Sequence, residues 1–325
     1  MHCLLIQPIH ADGIALLQDA GITTALATAA DMPTVAREIV KADAVITRNA
    51  GLNALAMEAA SSLQILAVHG TGYDLVDIKR ANELALPVAH TPLSNVQSVA
   101  EHAISQMLAI AKRTREADRA VREGRFSYRY ENAFHELSGK TLAIIGFGKI
   151  GQRTAEIAKH AFQMKIVVYS PNANPADIEA AGMTAVSSLD AALANADVVS
   201  LHQRLTPQSR GIFNAGRLAS MKRGAILVNT ARGGLIDATA LIASLDSGHL
   251  GGAAMDVFEE EPLPLTHAFI ACDRLVLSPH IGAATEESMK RMATDAARQI
   301  VDALAGRQPQ WLVNPEVWPH RRIKA

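Results

Sequence analysis

Cysteine is almost missing from the chain. Cys3 and Cys272 are the only two in 325 residues, too few for a disulfide framework, and a reducing compartment suits such a sequence. Net charge is as scarce: 31 basic and 32 acidic side chains leave a formal −1, which excludes an electrostatic grip on nucleic acid or on an anionic membrane surface. There is no long hydrophobic run either. The segment LLIQP at 4–8 has no basic stretch before it and is too short for a signal h-region or a membrane span. Heptad arrays, low-complexity tracts and blocks of like charge are also lacking, which removes coiled-coil, solenoid and disordered-tail readings. What remains is a soluble cytoplasmic globule that works on small molecules, with no nucleic-acid or membrane partner and no metal.

A chain of this length is too long for one ordinary core and fits two domains, which implies a cleft. Short branched apolar runs alternate with alanine-rich helical stretches: LLIQ at 4, DAVIT at 43, LQILAV at 63, TLAIIG at 141, KIVVYS at 165, DVVSLH at 197, GAILVNT at 224 and RLVLSP at 274. Continuous rather than alternating apolarity is what a strand covered on both faces needs, so the fold class is α/β with parallel sheets wrapped by helices. Two connectors interrupt the rhythm. One runs from Ser94, in capping-box spacing with Gln97, to Gly124; the other begins at Thr285, has Glu286 and Glu287 in its first turn, and ends near Gly306. The sequence therefore predicts a discontinuous outer domain, 1–98 plus 290–325, and an inserted domain, 99–289.

Within the inserted domain, GKTLAIIGFGKIGQRTAEIAKHAF sets Gly146, Gly148 and Gly151 directly after a strand and at the start of a helix, with Phe147, Lys149 and Ile150 between them. The first glycine permits the tight turn, the second lets backbone approach a pyrophosphate, the third lets helix pack on strand, and the helix N-terminus attracts the anion. This predicts a dinucleotide site. The next strand ends in Ser170 where an NAD site usually carries Asp or Glu for the ribose hydroxyls. A serine accepts a 2′-phosphate without repulsion, and Arg204 in HQRLTPQSR is a candidate partner for one. The expected cofactor is NAD(H) or NADP(H), leaning to NADP(H).

Ligands of doubly wound sheets lie beyond the carboxyl ends of the strands, so the residues that end the apolar runs form one set. They are His202, Thr230 and Arg232, Asp256 and His280, with Arg48, His69 and His90 ending runs of the outer domain. Arg232, in LVNTARGG, follows an apolar run and stands before two glycines; a buried guanidinium there needs water or an anion. The acidic stretch MDVFEEEPLP offers Glu259, Glu260 and Glu261, of which two are expected to be merely solvated. A carboxylate beside a histidine favours the imidazolium and fixes which ring nitrogen faces a substrate. A nicotinamide, a proton-donating histidine and an arginine that clamps a carboxylate together match reduction of a 2-keto acid.

With these parts assembled, the chain resembles the D-2-hydroxyacid dehydrogenase family over nearly its whole length. The carriers are VHGTGYDLVD (68–77), SVAEHA (98–103), the glycine turn (146–151), NTARGG (229–234), DVFEEEP (256–262) and SPHIGAAT (278–285). The resemblance implies a Rossmann cofactor domain inserted into a flavodoxin-like substrate domain, closing over a small 2-keto or 2-hydroxy acid, and a homodimer built around the inserted domain's connector. It implies that Arg232 holds the substrate carboxylate, that His280 is the acid and base, and that Glu261 orients and charges it. Arg48 and the loop of His69, Gly70 and Thr71 are the implied substrate residues, the loop through its backbone N–H groups. The implied cofactor residues are the glycine turn, Ser170, His202, Arg204, Thr206, Thr230, Ala231, Asp256 and Gly282.

Two positions depart from the family pattern: Ser170 for the usual acidic residue, and Arg204 where proline is common in an HxPLT sequence. The tail WLVNPEVWPH leads into no regulatory domain, which speaks against a full-length phosphoglycerate dehydrogenase. Two other readings are a cofactor-sensing binding protein, like the C-terminal binding protein corepressors, and a formate dehydrogenase. The complete Arg, Glu, His set opposes the first. Glu261 opposes the second, because formate dehydrogenases typically pair the histidine with an amide.

Overall fold

The computed structural model describes residues 1–323, so the final two positions of the expected outer domain lie outside it. The chain divides into two compact units, Met1–Val96 with the segment from Ala283 onward, and Gln97–Gly282. In the first, β1 (His2–Leu5), β2 (Thr23–Leu26), β3 (Ala44–Thr47), β4 (Ile65–Val68) and β5 (Val88–His90) pair in the order β2-β1-β3-β4-β5, all parallel. The strands β1, β3 and β4 are apolar on both faces because both are covered. Leu4, Val45, Leu66 and Val68 face one core, while Cys3, Leu5, Ile46 and Ala67 face another that includes Ala296, Ala297 and Ile300 of the helix Glu286–Leu304. That helix packs on the helix Ala11–Asp19 so closely that a Cβ on Gly13 would lie 2.7 Å from the Ala293 carbonyl oxygen.

The second unit carries β6 (Thr141–Ile145), β7 (Lys165–Tyr169), β8 (Thr184–Ala185), β9 (Val198–Leu201), β10 (Ile226–Asn229), β11 (Gly252–Met255) and β12 (Leu275–Leu277), all parallel, in the order β12-β11-β10-β9-β6-β7-β8. Ala143, Ile145, Val199, Leu201, Leu227 and Met255 face one core; Leu142, Ile144, Val198, Ile226 and Val228 face the other, with Ile104 and Met107 of the helix Val96–Ala111. Each fully buried aliphatic side chain of these layers contributes about 1.5–3 kcal/mol relative to exposure.

The long connector helix expected from Ser94 to Gly124 is two helices. Val96–Ala111 and Thr114–Arg122 are separated by Arg113, which adopts a left-handed conformation (φ 48°). Ser94 is not its capping residue: its hydroxyl donates to Asp295 Oδ2 at 2.7 Å. The second connector behaves as expected, with Thr285 capping Glu286–Leu304 through its side chain. Among the described residues no helix is long and apolar enough to cross a membrane.

Candidate active site

The register of the second sheet sets the site. Leu277, Met255, Asn229, Leu201, Ile145 and Tyr169 pair in turn across β12, β11, β10, β9, β6 and β7, making one row at the carboxyl ends. Neighbouring strands are about 4.8 Å apart. The residues just beyond the row therefore lie side by side along one edge: Ser278 to His280, Asp256, Thr230 to Arg232, His202, Gly146 and Ser170. Between β6 and β9 the chain changes direction of winding, and a doubly wound sheet opens its crevice at that switch.

The glycine turn fits a dinucleotide. Gly146 has φ 100°, and a Cβ there would stand 2.7 Å from the backbone of His202 and Gln203. A Cβ on Gly151 would stand 2.2 Å from the Gly146 carbonyl oxygen. Gly148 differs: its Cβ direction is open, with no atom within 4 Å, and it caps the helix Lys149–Phe162 without any side-chain hydrogen bond. No side chain caps the first N–H groups of that helix, and the Cβ position of Gly148 is open, which suits a pyrophosphate. Phe147 and Ile150 are half-buried and Lys149 is exposed. Thr230 Oγ1 is buried without a partner among the described residues, a second group suited to an incoming ligand.

The flanks of the turn are more self-contained. Burial drives the His202 imidazole down to about 4, so the ring is neutral near pH 7, and its Nε2 lies 2.9 Å from Ser200 Oγ. The hydroxyl and N–H of Thr206 are both engaged with Ser209 Oγ, which also donates to the carbonyl of Arg204, so 204–209 is a closed turn. Ala231 N–H donates to Asn229 Oδ1. Ser170 is half-buried, and its carbonyl accepts from Ala173 N–H in the turn after β7.

Glu261 and His280 meet. His280 Nδ1 is 2.8 Å from Glu261 Oε2, and Phe258 N–H donates to Oε1 of the same carboxylate at 2.9 Å. Burial alone raises the Glu261 pKa, but the hydrogen bonds from His280 and from Phe258 N–H outweigh it and hold the carboxyl below its usual range. Both side chains remain about a third exposed, 32% and 34%, so water or a substrate reaches them. With Nδ1 on Glu261, Nε2 is the ring atom that remains for chemistry. The other two acids of the stretch are spectators: Glu259 pairs with Arg210 and Glu260 is exposed.

The turn of Arg232 packs on the Glu261 loop at its neighbour, Gly233. Gly233 runs so close to the Phe258–Glu259 peptide that a side chain there has no room, which draws the Arg232 turn against the loop carrying Glu261. Asn229 Nδ2 donates to the Arg232 carbonyl, and one guanidinium nitrogen, Nη1, donates to the Ala231 carbonyl at 2.6 Å. The arginine is therefore anchored by its own turn, contrary to the expectation that its guanidinium is held wholly for an incoming anion.

Asp256 is only 2% exposed, and both carboxylate oxygens are taken by the protein's own donors. Oδ1 accepts from Ser278 Oγ (2.6 Å) and Ile281 N–H (2.9 Å), and Oδ2 from Gly282 N–H (2.9 Å). Burial raises its pKa, and bonds from His102, Ser278 and Ile281 more than reverse this, keeping it ionised. Asp256, through its bonds to Ser278, Ile281 and Gly282, holds the turn that bears His280. Sequence reasoning missed Ser278 and His102 here; the signal was a polar stripe, Ser98, His102 and Gln106, four apart on an otherwise apolar helix.

In the first unit, Arg48 donates to the Pro8 carbonyl at 2.8 Å and contacts Met289 Sδ. His69 is 5% exposed, neither ring nitrogen has a hydrogen-bond partner among the described residues, and burial, aided by the charge of Arg48, lowers its pKa to about 4. The expectation that the backbone N–H groups of His69 and Gly70 form an anion cradle does not hold. His69 N–H donates to the Thr47 carbonyl and Gly70 N–H to Thr91 Oγ1, so strand pairing and a neighbouring hydroxyl have already used them. Thr71 Oγ1 donates to Asn95 Oδ1, and the Thr71 carbonyl faces His90 Nδ1.

Residues 104–282 match the model of the D-isomer specific 2-hydroxyacid dehydrogenase, NAD binding domain. A glyoxylate reductase of Thermofilum pendens is 38% identical over 277 residues, 84% of this chain and 81% of that protein. A D-3-phosphoglycerate dehydrogenase of Methanocaldococcus jannaschii is 35% identical across 98% of this chain, which spans 60% of that longer protein. Among solved structures, one from Thermus thermophilus superposes with a TM-score of 0.86 at 34% identity, covering 96% of this chain and 100% of that one. With a parallel sheet, a dinucleotide turn and a carboxylate-bound histidine on one strand edge, the chain belongs to the D-isomer specific 2-hydroxyacid dehydrogenase family, NAD-dependent oxidoreductases of 2-hydroxy acids.

Proposed function

We propose that the chain reduces the keto group of a small 2-keto acid, of the size of glyoxylate or hydroxypyruvate, to the D-2-hydroxy acid, and runs the reverse reaction. The observation that carries this is the 2.8 Å contact between His280 Nδ1 and Glu261, beside the turn of Arg232. A nicotinamide, when bound, would supply the hydride to C2. His280 gives the Nε2 proton to the carbonyl oxygen, and Glu261 stabilises the imidazolium that serves as acid. Arg232 binds the substrate carboxylate and draws charge from the carbonyl oxygen, its guanidinium matching a carboxylate in two-point contact. Gly146, Gly148 and Gly151 would hold the pyrophosphate, with Thr230 nearby.

NADP(H) is the preferred cofactor in this proposal, because Ser170 places no carboxylate against a 2′-phosphate. The chain is also proposed to be a cytoplasmic homodimer. The segment 121–134 exposes Val121 (62%), Phe126 (66%) and Tyr130 (76%), an apolar arm suited to being covered by a second copy. The direct test is a panel of 2-keto acids assayed in parallel with NADH and NADPH, followed by loss of nicotinamide absorbance. Turnover of glyoxylate or hydroxypyruvate is expected; no turnover of any keto acid overturns the reading.

A further inference from the structure

His280 sits in a strained place. Its φ is 54°, a left-handed conformation that costs a non-glycine residue of order 1 kcal/mol or more and lasts only where its surroundings over-determine it. Asp256 supplies part of that determination: its main-chain carbonyl accepts His280 N–H at 2.8 Å, and its carboxylate binds Ser278, Ile281 and Gly282 on either side.

The remaining constraint comes from one face of the helix Val96–Ala111. Ser98 Oγ donates to the Gly282 carbonyl at 2.6 Å. One turn on, His102 Nε2 lies 3.2 Å from Asp256 Oδ1 and 3.1 Å from Ser278 Oγ. One turn further, the Gln106 amide donates to Ser278 Oγ at 3.0 Å. An ionised Asp256 can only accept, so His102 presents Nε2–H to it. With its side chain only 16% exposed, His102 makes these contacts largely shielded from water.

We propose that His102 is a positioning residue for proton transfer: donating to the Asp256–Ser278 pair, it fixes the carboxylate that clamps residues 278–282 and so aims Nε2 of His280. This rests on the reading of His280 as the acid. In this arrangement His102 acts on His280 through two intervening groups, the Asp256–Ser278 pair and the turn 278–282. A loosened turn misplaces the imidazole, and a misplacement of about 1 Å costs on the order of 100-fold in rate.

The test compares His102→Ala, His102→Gln and Ser98→Ala in the full chain, with glyoxylate as the probe substrate. The readouts are kcat and KM, with nicotinamide binding followed separately by quenching of protein fluorescence. His102→Ala should lower kcat roughly 10- to 100-fold while KM and nicotinamide affinity stay within about threefold, and His102→Gln, which retains an N–H donor, should recover most of the loss. A wild-type kcat in His102→Ala overturns the proposal, as does a loss that the glutamine variant fails to rescue. Should His102→Ala not fold, Ser98→Ala decides: it removes one bond to Gly282 and should lower kcat several-fold at constant KM, and an unchanged kcat overturns the idea. Full activity in His280→Gln would instead overturn the acid assignment itself, a separate failure.

Discussion

Gly233 lies so close to Phe258 that a Cβ on the glycine would stand 2.1 Å from the Phe258 carbonyl carbon and 2.3 Å from Glu259 N. The obstacle is backbone, which cannot swing aside as a side chain end can. Gly233→Ala should therefore push the Arg232 turn away from the Glu261 loop, destabilising the fold by about 1–3 kcal/mol and raising KM for the keto acid as the arginine moves. Urea unfolding and steady-state kinetics on the same preparation check both; a variant with unaltered midpoint and KM would show that the two segments separate freely.

The proposed proton donor is tested more sharply by His280→Gln. The amide keeps the hydrogen-bonding shape but cannot deliver a proton, and general acid catalysis contributes typically 10²- to 10⁴-fold. We expect kcat to fall within about that range while nicotinamide binding is preserved, because the glycine turn is untouched. Stopped-flow measurement of a single turnover separates the chemical step from product release.

Much of this site was legible because parallel strands advertise themselves. Runs such as AILVN and TLAII are apolar throughout, and the residue after each run is bound to lie on one edge. The place of Asp256 at a strand end is legible, but its donors are not, since they come from residues 22 to 26 positions later and no local pattern reports a turn closing back onto a strand end. β2 and β8 were overlooked: both are edge strands, short and partly exposed, with too little apolar signal to stand out. The break at Arg113 was equally silent, because KRTRE contains neither glycine nor proline.

Acid should unfold the chain earlier than its carboxylates alone would dictate. Buried His69 has a pKa near 4, against about 6.5 when unfolded. Between those values the unfolded state binds a proton that the folded state refuses, so stability is intact above pH 6.5 and declines as pH falls toward 4. The slope is about 1.4 kcal/mol per pH unit for this one group. Glu261, whose pKa is lowered, loses its own contribution only below the usual carboxylate range. Urea midpoints from pH 7.5 to 4.5 should fall less steeply in His69→Gln than in the parent; parallel curves would exclude His69 as the source.

Phe126 and Tyr130 stack on the Arg129 guanidinium, 5.1 and 4.4 Å from their ring centroids, and stand exposed with Val121. An exposed aromatic arm of this kind is what a partner surface covers. Light scattering of the 34.6 kDa chain should give twice its mass, and Phe126→Glu with Tyr130→Glu should give the monomer. A monomeric parent at micromolar concentration removes the dimer.

In the proposed reading, cofactor choice rests on Ser170, next after the row residue Tyr169 at the end of β7. A carboxylate there repels a 2′-phosphate and accepts two ribose hydroxyls, so it acts on both cofactors in opposite directions. Ser170→Asp should lower kcat/KM for NADPH and raise it for NADH, changing the ratio by at least roughly tenfold, which corresponds to about 1.4 kcal/mol. The side chain is half-buried at a turn closed by Ala173 N–H, so the new carboxylate has a fixed place from which to act. If both cofactors lose activity equally, the substitution has damaged the turn and not the choice. If neither changes, the adenosine ribose does not reach the end of β7, and the preference must be set by another strand.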